Sequence, residues 1–306
     1  LNAGYSSGLS GLFIQAGYQN KRFGASGFYT PLFPHQYEKT DLLFAGIKFD
    51  TGEKVRLSYR LYGRQRYDEF MLDRDNPSFY RNLHRTDVLG TRIAAINSLG
   101  RWSFESAFDF RSESILSNSL GYESAHPVKV KNHQGLWYDK QFSRYIISLS
   151  AGIKYTGNKY ELNTGFNILK NNGNDGELKL LPSLGIEYAP ADKIRLFADL
   201  NTGSTMPSFT DLFYKDPNNE GFSGLNDASI VSAGTGIKYN GIHITGSAAV
   251  FSSIGDNITE WLWSDTLNRY KPYNTNNYSV KGFEATASFR FLTCGRYEQT
   301  VTAGYN

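Results

Sequence analysis

Few of the 306 residues carry groups whose type and spacing suit chemistry. Asp73, Asp75 and Asn76 stand together in LDRDN at 72–76. Oxygen ligands this close suit Ca²⁺, although the full spacing of a 12-residue calcium loop is missing and solvated acids are ordinary in loops. His84 and Asp87 come nearest to an acid–base pair, with no nucleophile beside them. The other histidines, His35, His126, His133 and His243, form no HExxH or close pair. Cys294 is the only cysteine, which rules out an internal disulfide framework and a thiolate metal cluster. No Gly-rich phosphate loop occurs. An enzyme is therefore not expected, nor any cofactor beyond calcium at Asp73, Asp75 and Asn76.

Two larger groups remain. Lys54, Arg56, Arg60, Arg64 and Arg66 all fall on even numbers, while Val55, Leu57, Tyr59 and Leu61 fall on odd ones. Such a cationic stripe either draws anionic substrates or pairs with carboxylates such as Asp68, Glu69, Glu105 and Asp109. The second group is aromatic: Phe28, Tyr29, Phe33, Tyr37, Phe79, Tyr80, Phe209, Phe213 and Tyr214 lie in polar connecting segments. They suit either a platform for a large, partly apolar ligand or packing of loop on loop.

The elements that must position these groups are strands, because a period of two places alternate side chains on opposite faces. The alternation recurs along the chain. RWSFESAFDFR puts Trp102, Phe104, Phe108 and Phe110 on one face, and YIISLSAGIKY does the same with Ile147, Leu149, Ala151, Ile153 and Tyr155. Mean hydropathy is −0.44, and no stretch approaches the ~18 apolar residues of a membrane helix. A barrel strand needs only ~10 residues, alternate ones apolar. Net charge is +3 with the basic residues interleaved in strands, which gives no footprint for nucleic acid. The opening LNAGYSSGLSG has no basic n-region or apolar h-region, so no leader is expected in this piece.

Thirteen strands are predicted, near 11–19, 39–50, 54–68, 86–98, 101–113, 130–141, 145–156, 178–189, 194–203, 227–239, 242–258, 277–291 and 296–305. Very short connections (50–53, 99–100, near 142–144, 189–193, 239–241, 293–296) alternate with long ones (20–38, 69–85, 114–129, 204–226, 259–276). To keep the long ones at one end, 157–177 is read as a further excursion on that side, despite the alternation in YELNTGFNI. Residues 54–66 extend over ~40 Å, rising ~30 Å when tilted, enough to cross an apolar band of ~25 Å. The expected fold is an all-β transmembrane antiparallel barrel, with the cationic stripe facing the lumen. Single-chain bacterial barrels have even strand counts, and an open sheet leaves backbone unpaired in lipid. Residues 1–306 are thus expected to be a single partial barrel domain, an internal piece of a larger one.

At this level of detail the sequence resembles the TonB-dependent transporters of the outer membrane. STMPSFTDLFY at 204–214, leading into PNNEGFSGLND, is similar to that family's Arg-x-Pro-x-x-x-(Glu/Asp)-Leu-(Tyr/Phe) signature and the glycine–asparagine loop after it. Pro207, Asp211 and Leu212 occupy matching positions, while the usual arginine is replaced at Thr205 or Met206. YSVKGFEATASF at 278–289 resembles a late-barrel strand of the family, with Gly282, Phe283 and Glu284 matching. FGASGFYTPLFPHQYEKT at 23–40 and RYDEFMLDRDNPSFYRNLHRTDV at 66–88 look like the cobalamin receptor branch, some members of which use loop calcium. The resemblance implies a 22-stranded barrel, of which about 13 strands are present, and an N-terminal plug that is not. It implies energised uptake through a TonB–ExbB–ExbD complex acting on the plug. It also implies a corrinoid ligand, or alternatively a ferric siderophore or haem, contact with outer-membrane lipid, and a surface lipoprotein lid as a candidate partner. Phe28, Tyr29, Tyr37, Tyr80, Phe209 and Tyr214 are the candidate ligand contacts. A passive porin or an outer-membrane barrel enzyme is the rival of a different class.

Overall fold

The computed structural model describes residues 1–25, 33–173, 176–216, 218–293 and 297–306. Seventeen strands occur among the described residues. In the first half they are β1 (Asn2–Ser7), β2 (Ser10–Gly24), β3 (Tyr37–Thr51), β4 (Val55–Met71), β5 (Arg81–Leu99), β6 (Trp102–Ser117), β7 (Tyr122–Lys129) and β8 (Trp137–Thr156). The second half holds β9 (Tyr160–Asn171), β10 (Lys179–Ala191), β11 (Ile194–Thr205), β12 (Ala228–Asn240), β13 (Ile244–Asp256), β14 (Ile258–Ser264), β15 (Arg269–Thr275), β16 (Tyr278–Thr293) and β17 (Tyr297–Tyr305). One short helix, α1 (Phe209–Phe213), lies between β11 and β12. Fourteen strands form a single antiparallel wall in the order β1-β2-β3-β4-β5-β6-β8-β9-β10-β11-β12-β13-β16-β17. β7 adds to β8 outside this path, and β14 and β15 make a separate hairpin.

Register gives the wall two faces. Directly opposed residues of an antiparallel pair point the same way. Tyr59, Ile93, Phe108, Leu149, Ile168 and Leu180 are opposed in succession across six strands, so they make one unbroken apolar row. Lys48, Arg60, Arg92, Asp109, Ser148, Leu169 and Lys179 make the matching row on the other face, almost entirely polar. The apolar row is not a dry core: Leu149 and Leu180 stay 55% and 65% exposed. An apolar face this wide, left open to the surroundings, is the outer surface of a membrane barrel. Its edge toward the short turns is aromatic, with Trp102 against Tyr155 and Tyr160 stacked on Tyr188, both at 4.8 Å. A cavity of about 600 Å³, lined by Arg92, Glu105, Lys154, Asn163, Asp199 and Asn201, opens on the polar face, which is therefore the concave one.

Aromatic rings cover glycines on that concave face. Phe44 opposes Gly17, Tyr62 opposes Gly90, Phe197 opposes Gly236 and Phe251 opposes Gly282. A Cβ on these glycines would sit 2.2–2.6 Å from the ring. Gly282 belongs to the GFE stretch, so packing alone accounts for a glycine there. Phe283 points from the apolar face opposite Val250, and Glu284 points from the polar face opposite Ala249.

Several predicted boundaries differ from the observed ones. Residues 157–177 are not an excursion: β9 is paired along its length with β8 and with β10. Nor do 130–141 and 145–156 form two strands around a turn at 142–144, because β8 runs unbroken from Trp137 to Thr156. One invented strand and one missed strand cancelled in the alternation, so every later strand kept its direction. β1, the β7 addition and the β14–β15 hairpin were not anticipated either. Lys54 lies in the turn before β4 and not within the strand. Cys294 and most of the short connection at 293–296 fall outside the described residues.

The wall is uneven in height. β3 to β8 have 15 to 20 residues along the main path, whereas β9 to β13 have 12 or 13. The turn ends are level, since Trp102 opposes Tyr155 and Thr156 opposes Glu161, so the extra length stands at the end of the long loops.

Candidate functional site

The concave wall carries Arg56, Arg60, Arg64 and Arg66, all exposed and on the face of Arg92 and Asp109. Arg66 pairs with Asp68 at 2.8 Å, and neighbouring Arg92 pairs with Asp109 at 2.7 Å. Among the described residues, Arg56, Arg60 and Arg64 have no ion-pair partner, and Glu69 and Glu105 do not serve them. Glu69 sits on the opposite face with Lys39 at 3.1 Å and Arg81 at 3.4 Å. His84 and Asp87 are also on opposite faces. His84 Nδ1 lies 2.8 Å from Ser117 Oγ, whereas Asp87 accepts from Gln65 Nε2 at 2.6 Å and pairs with Arg85. They cannot act on one substrate group.

At the long-loop end the connections 206–227 and 257–277 close over the polar wall. Ser208 caps α1 and forms a capping box with Asp211, whose Oδ2 accepts from Ser208 N and Oγ at 2.9 and 2.7 Å. The other oxygen of Asp211 accepts from Trp261 Nε1 at 2.9 Å. Leu212 is buried, and Phe213 packs on Tyr122 and Phe142 with centroids 5.1 and 4.9 Å apart. Arg144 of β8 holds the segment to the wall. Its Nη1 donates to the Pro207 carbonyl at 2.7 Å, its guanidinium lies 4.5 Å from the Phe209 ring, and its Nε meets Glu113 at 2.8 Å. Pro207, Asp211 and Leu212 therefore build the roof of the lumen. Below it, a cavity of about 140 Å³ is lined by Arg111, Arg144, Met206 and Asp227.

The second long connection carries the β14–β15 hairpin, stitched to the first. Arg269 pairs with Glu220 at 3.0 Å, Tyr270 N donates to Asn218 O at 2.8 Å, and Asn226 N donates to Asn274 Oδ1 at 2.8 Å. Tyr80 Oη donates to Tyr214 Oη at 3.3 Å, tying in a third loop. Burial and this hydrogen bond push the Tyr214 phenol well above the ordinary tyrosine range.

Phe209, Tyr214 and Tyr80 thus hold loops together, and Tyr37 opens β3 with the Arg74 guanidinium 5.9 Å from its ring. Phe28 and Tyr29 lie outside the described residues. Aromatics open to solvent at the long-loop end include Phe79, Tyr122, Trp263 and Tyr270. Trp263 and Tyr270 escaped the sequence reading, although ITEWLWSDTLNRYKPY alternates around a turn-like DTLN. Of the oxygen set read at 72–76, Asp73 and Asp75 converge with His35, while Asn76 Oδ1 accepts from Ser78 Oγ at 2.8 Å.

Residues 1–306 match the family model described as TonB dependent receptor-like, beta-barrel. No curated protein matches the chain. Among solved structures, the copper transporter OprC superposes with a TM-score of 0.75 at 13% identity, over 100% of this chain and 52% of that one. The FrpB iron transporter from Neisseria meningitidis gives 0.70 at 13% identity, over 94% and 48%. The siderophore receptor PirA from Pseudomonas aeruginosa gives 0.72 at 10% identity, over 99% and 55%. The chain spans about half the length of the solved structures it matches. At these identities the superpositions speak for the fold, and the family model, which covers every residue, for the membership. An apolar outer face, a polar inner wall and loops folded inward agree with it: the chain belongs to the TonB dependent receptor-like β-barrel family of outer-membrane receptors and transporters.

Proposed function

We propose that the protein forms the barrel of an energised outer-membrane importer for a large organic metal chelate, and that the chelate is a corrinoid. The observation that carries the importer reading is the stitched roof, 206–227 with 257–277, held against the polar face of the wall through Arg144. A ligand admitted under such a roof needs loops to move and energy to move them. TonB–ExbB–ExbD, acting on a plug, is the partner that supplies it. The corrinoid reading rests on the sequence stretches 23–40 and 66–88. It is supported by the mixture of open aromatics and amides on the roof, which suits a ligand with apolar faces and amide edges. Phe79, Trp263 and Tyr270 supply the aromatic contacts, or those of a surface lipoprotein lid, and lipid covers the outer face. An iron chelate is the second reading, favoured by the names of FrpB and PirA. Arg56, Arg60 and Arg64, unpaired among the described residues on the inner wall, suit the negative charge that many ferric chelates carry.

The test is uptake of labelled cyanocobalamin by cells whose only candidate receptor is the intact protein, with and without a functional TonB. Uptake that needs both supports the proposal. Absence of corrinoid binding, with tight binding of a ferric chelate, transfers the assignment to the second reading. Uptake that persists without TonB removes the importer reading altogether.

A further inference from the structure

We propose that His35, Asp73 and Asp75 form a binding site for a divalent transition metal ion that staples the connection before β3 to the connection after β4. One nitrogen and two carboxylate donors lie within 4.8 Å of one another, although His35 is remote in sequence from both acids. His35 Nδ1 is 2.5 Å from Asp75 Oδ2. The approach is held by backbone that needs no metal. Arg74 N donates to His35 O at 3.0 Å, which latches the two connections between the residues that bear the donors.

The donor set selects the ion. Ca²⁺ takes six to eight oxygens, so a site whose third ligand is an imidazole disfavours it. Imidazole with carboxylate suits zinc, nickel, copper and iron, and nickel(II) and zinc(II) are the redox-quiet choices for a test. His35 and Asp75 are exposed and Asp73 is half-buried, so water completes the coordination shell. Among the described residues the donors already have partners: Arg74 Nε lies 3.8 Å from Asp75 Oδ1, Asp73 Oδ1 accepts from Asp75 N at 3.0 Å, and His35 Nδ1 meets Asp75 Oδ2. The metal must displace these contacts, which keeps the site weaker than a buried structural one. Asn76 is outside the donor set. The proposal is independent of the transported ligand, since it concerns two outer loops and no step of uptake.

The experiment is a competition titration of Zn²⁺ and Ni²⁺ against a chromophoric chelator, on intact protein in detergent with any affinity tag removed, and Ca²⁺ in parallel. One Zn²⁺ per chain is expected, with affinity reduced at least tenfold in His35→Ala and in Asp75→Asn and unchanged in Asn76→Ala. Heat-dependent gel mobility reports whether each variant keeps its barrel. A second readout needs no variant: Zn²⁺ should protect His35 from diethyl pyrocarbonate, read by mass spectrometry. Zinc binding that ignores His35→Ala, or Ca²⁺ binding that needs Asp73, Asp75 and Asn76 but not His35, overturns the proposal. So does modification of His35 at the same rate with and without Zn²⁺.

Discussion

Gly282 has no room for a methyl group, because the Phe251 ring covers it from the neighbouring strand. Gly282→Ala is expected to cost ~1–3 kcal/mol of barrel stability through overpacking. In a Phe251→Ala background the same change should cost less than ~0.5 kcal/mol, because the clash has gone. Urea unfolding of the intact barrel from vesicles measures both, and equal costs in the two backgrounds would remove Phe251 as the reason for the glycine. The sequence marked Gly282, Phe283 and Glu284 without saying why. The reason is a partner 31 residues upstream, which no local pattern contains. Asp211 teaches the same lesson. Its cap on Ser208 could be read from SFTD, whereas its bond to Trp261 joins groups 50 residues apart.

β9 is the element that sequence reasoning set aside. Its apolar face, Tyr160, Leu162, Phe166 and Ile168, is visible in YELNTGFNI, but the rule that long connections share an end argues against a strand there. β8 shows the reverse. Beyond the apolar band its strand loses the alternation that lipid imposes, and FSR at 142–144 looked like a turn. In the structure Phe142 and Arg144 point inward to hold α1. Strand pattern is thus legible where lipid enforces it and fades where the wall stands in water. Hydrogen exchange separates the two readings of β9. Amides of 160–171 should be protected to the same degree as those of β8 and β10, since they are paired on both sides. Rapid exchange across 160–171 would restore the excursion.

Across the whole molecule the two faces make opposite demands. Leu149 lies mid-strand on the apolar face, and Ser150, the next residue, lies on the polar one. Leu149→Arg in the intact barrel is expected to cost ~2–4 kcal/mol in a bilayer, the penalty for arginine near the midplane. Ser150→Arg should cost well under ~1 kcal/mol, because it adds a charge to a wet cavity. Folding equilibria in vesicles check both, and equal penalties would mean that neither face is selectively in lipid. This division was the most legible property of the sequence, because a period of two needs no long-range information. The site was the least legible. Its roof, its stitching and its His35–Asp75 contact join segments that meet only after the wall has formed.

The uneven wall has a consequence for how the protein meets large particles that reach its loop end. At ~3.4 Å per residue and a tilt of ~40°, β8 stands ~25 Å beyond an apolar band of ~25 Å, while β11 barely clears it. A large particle approaching the tall side from its flank meets paired, pleated backbone below the connections that join β4 to β5 and β6 to β8. Insertions within that ladder would break it, so change in the paired flank must proceed by point substitution. On the low side, where loops rise directly from the band, changes of length are open as well. Sequence change should therefore differ in kind between the paired flank of the tall side, where substitutions dominate, and the low side, where indels are also open.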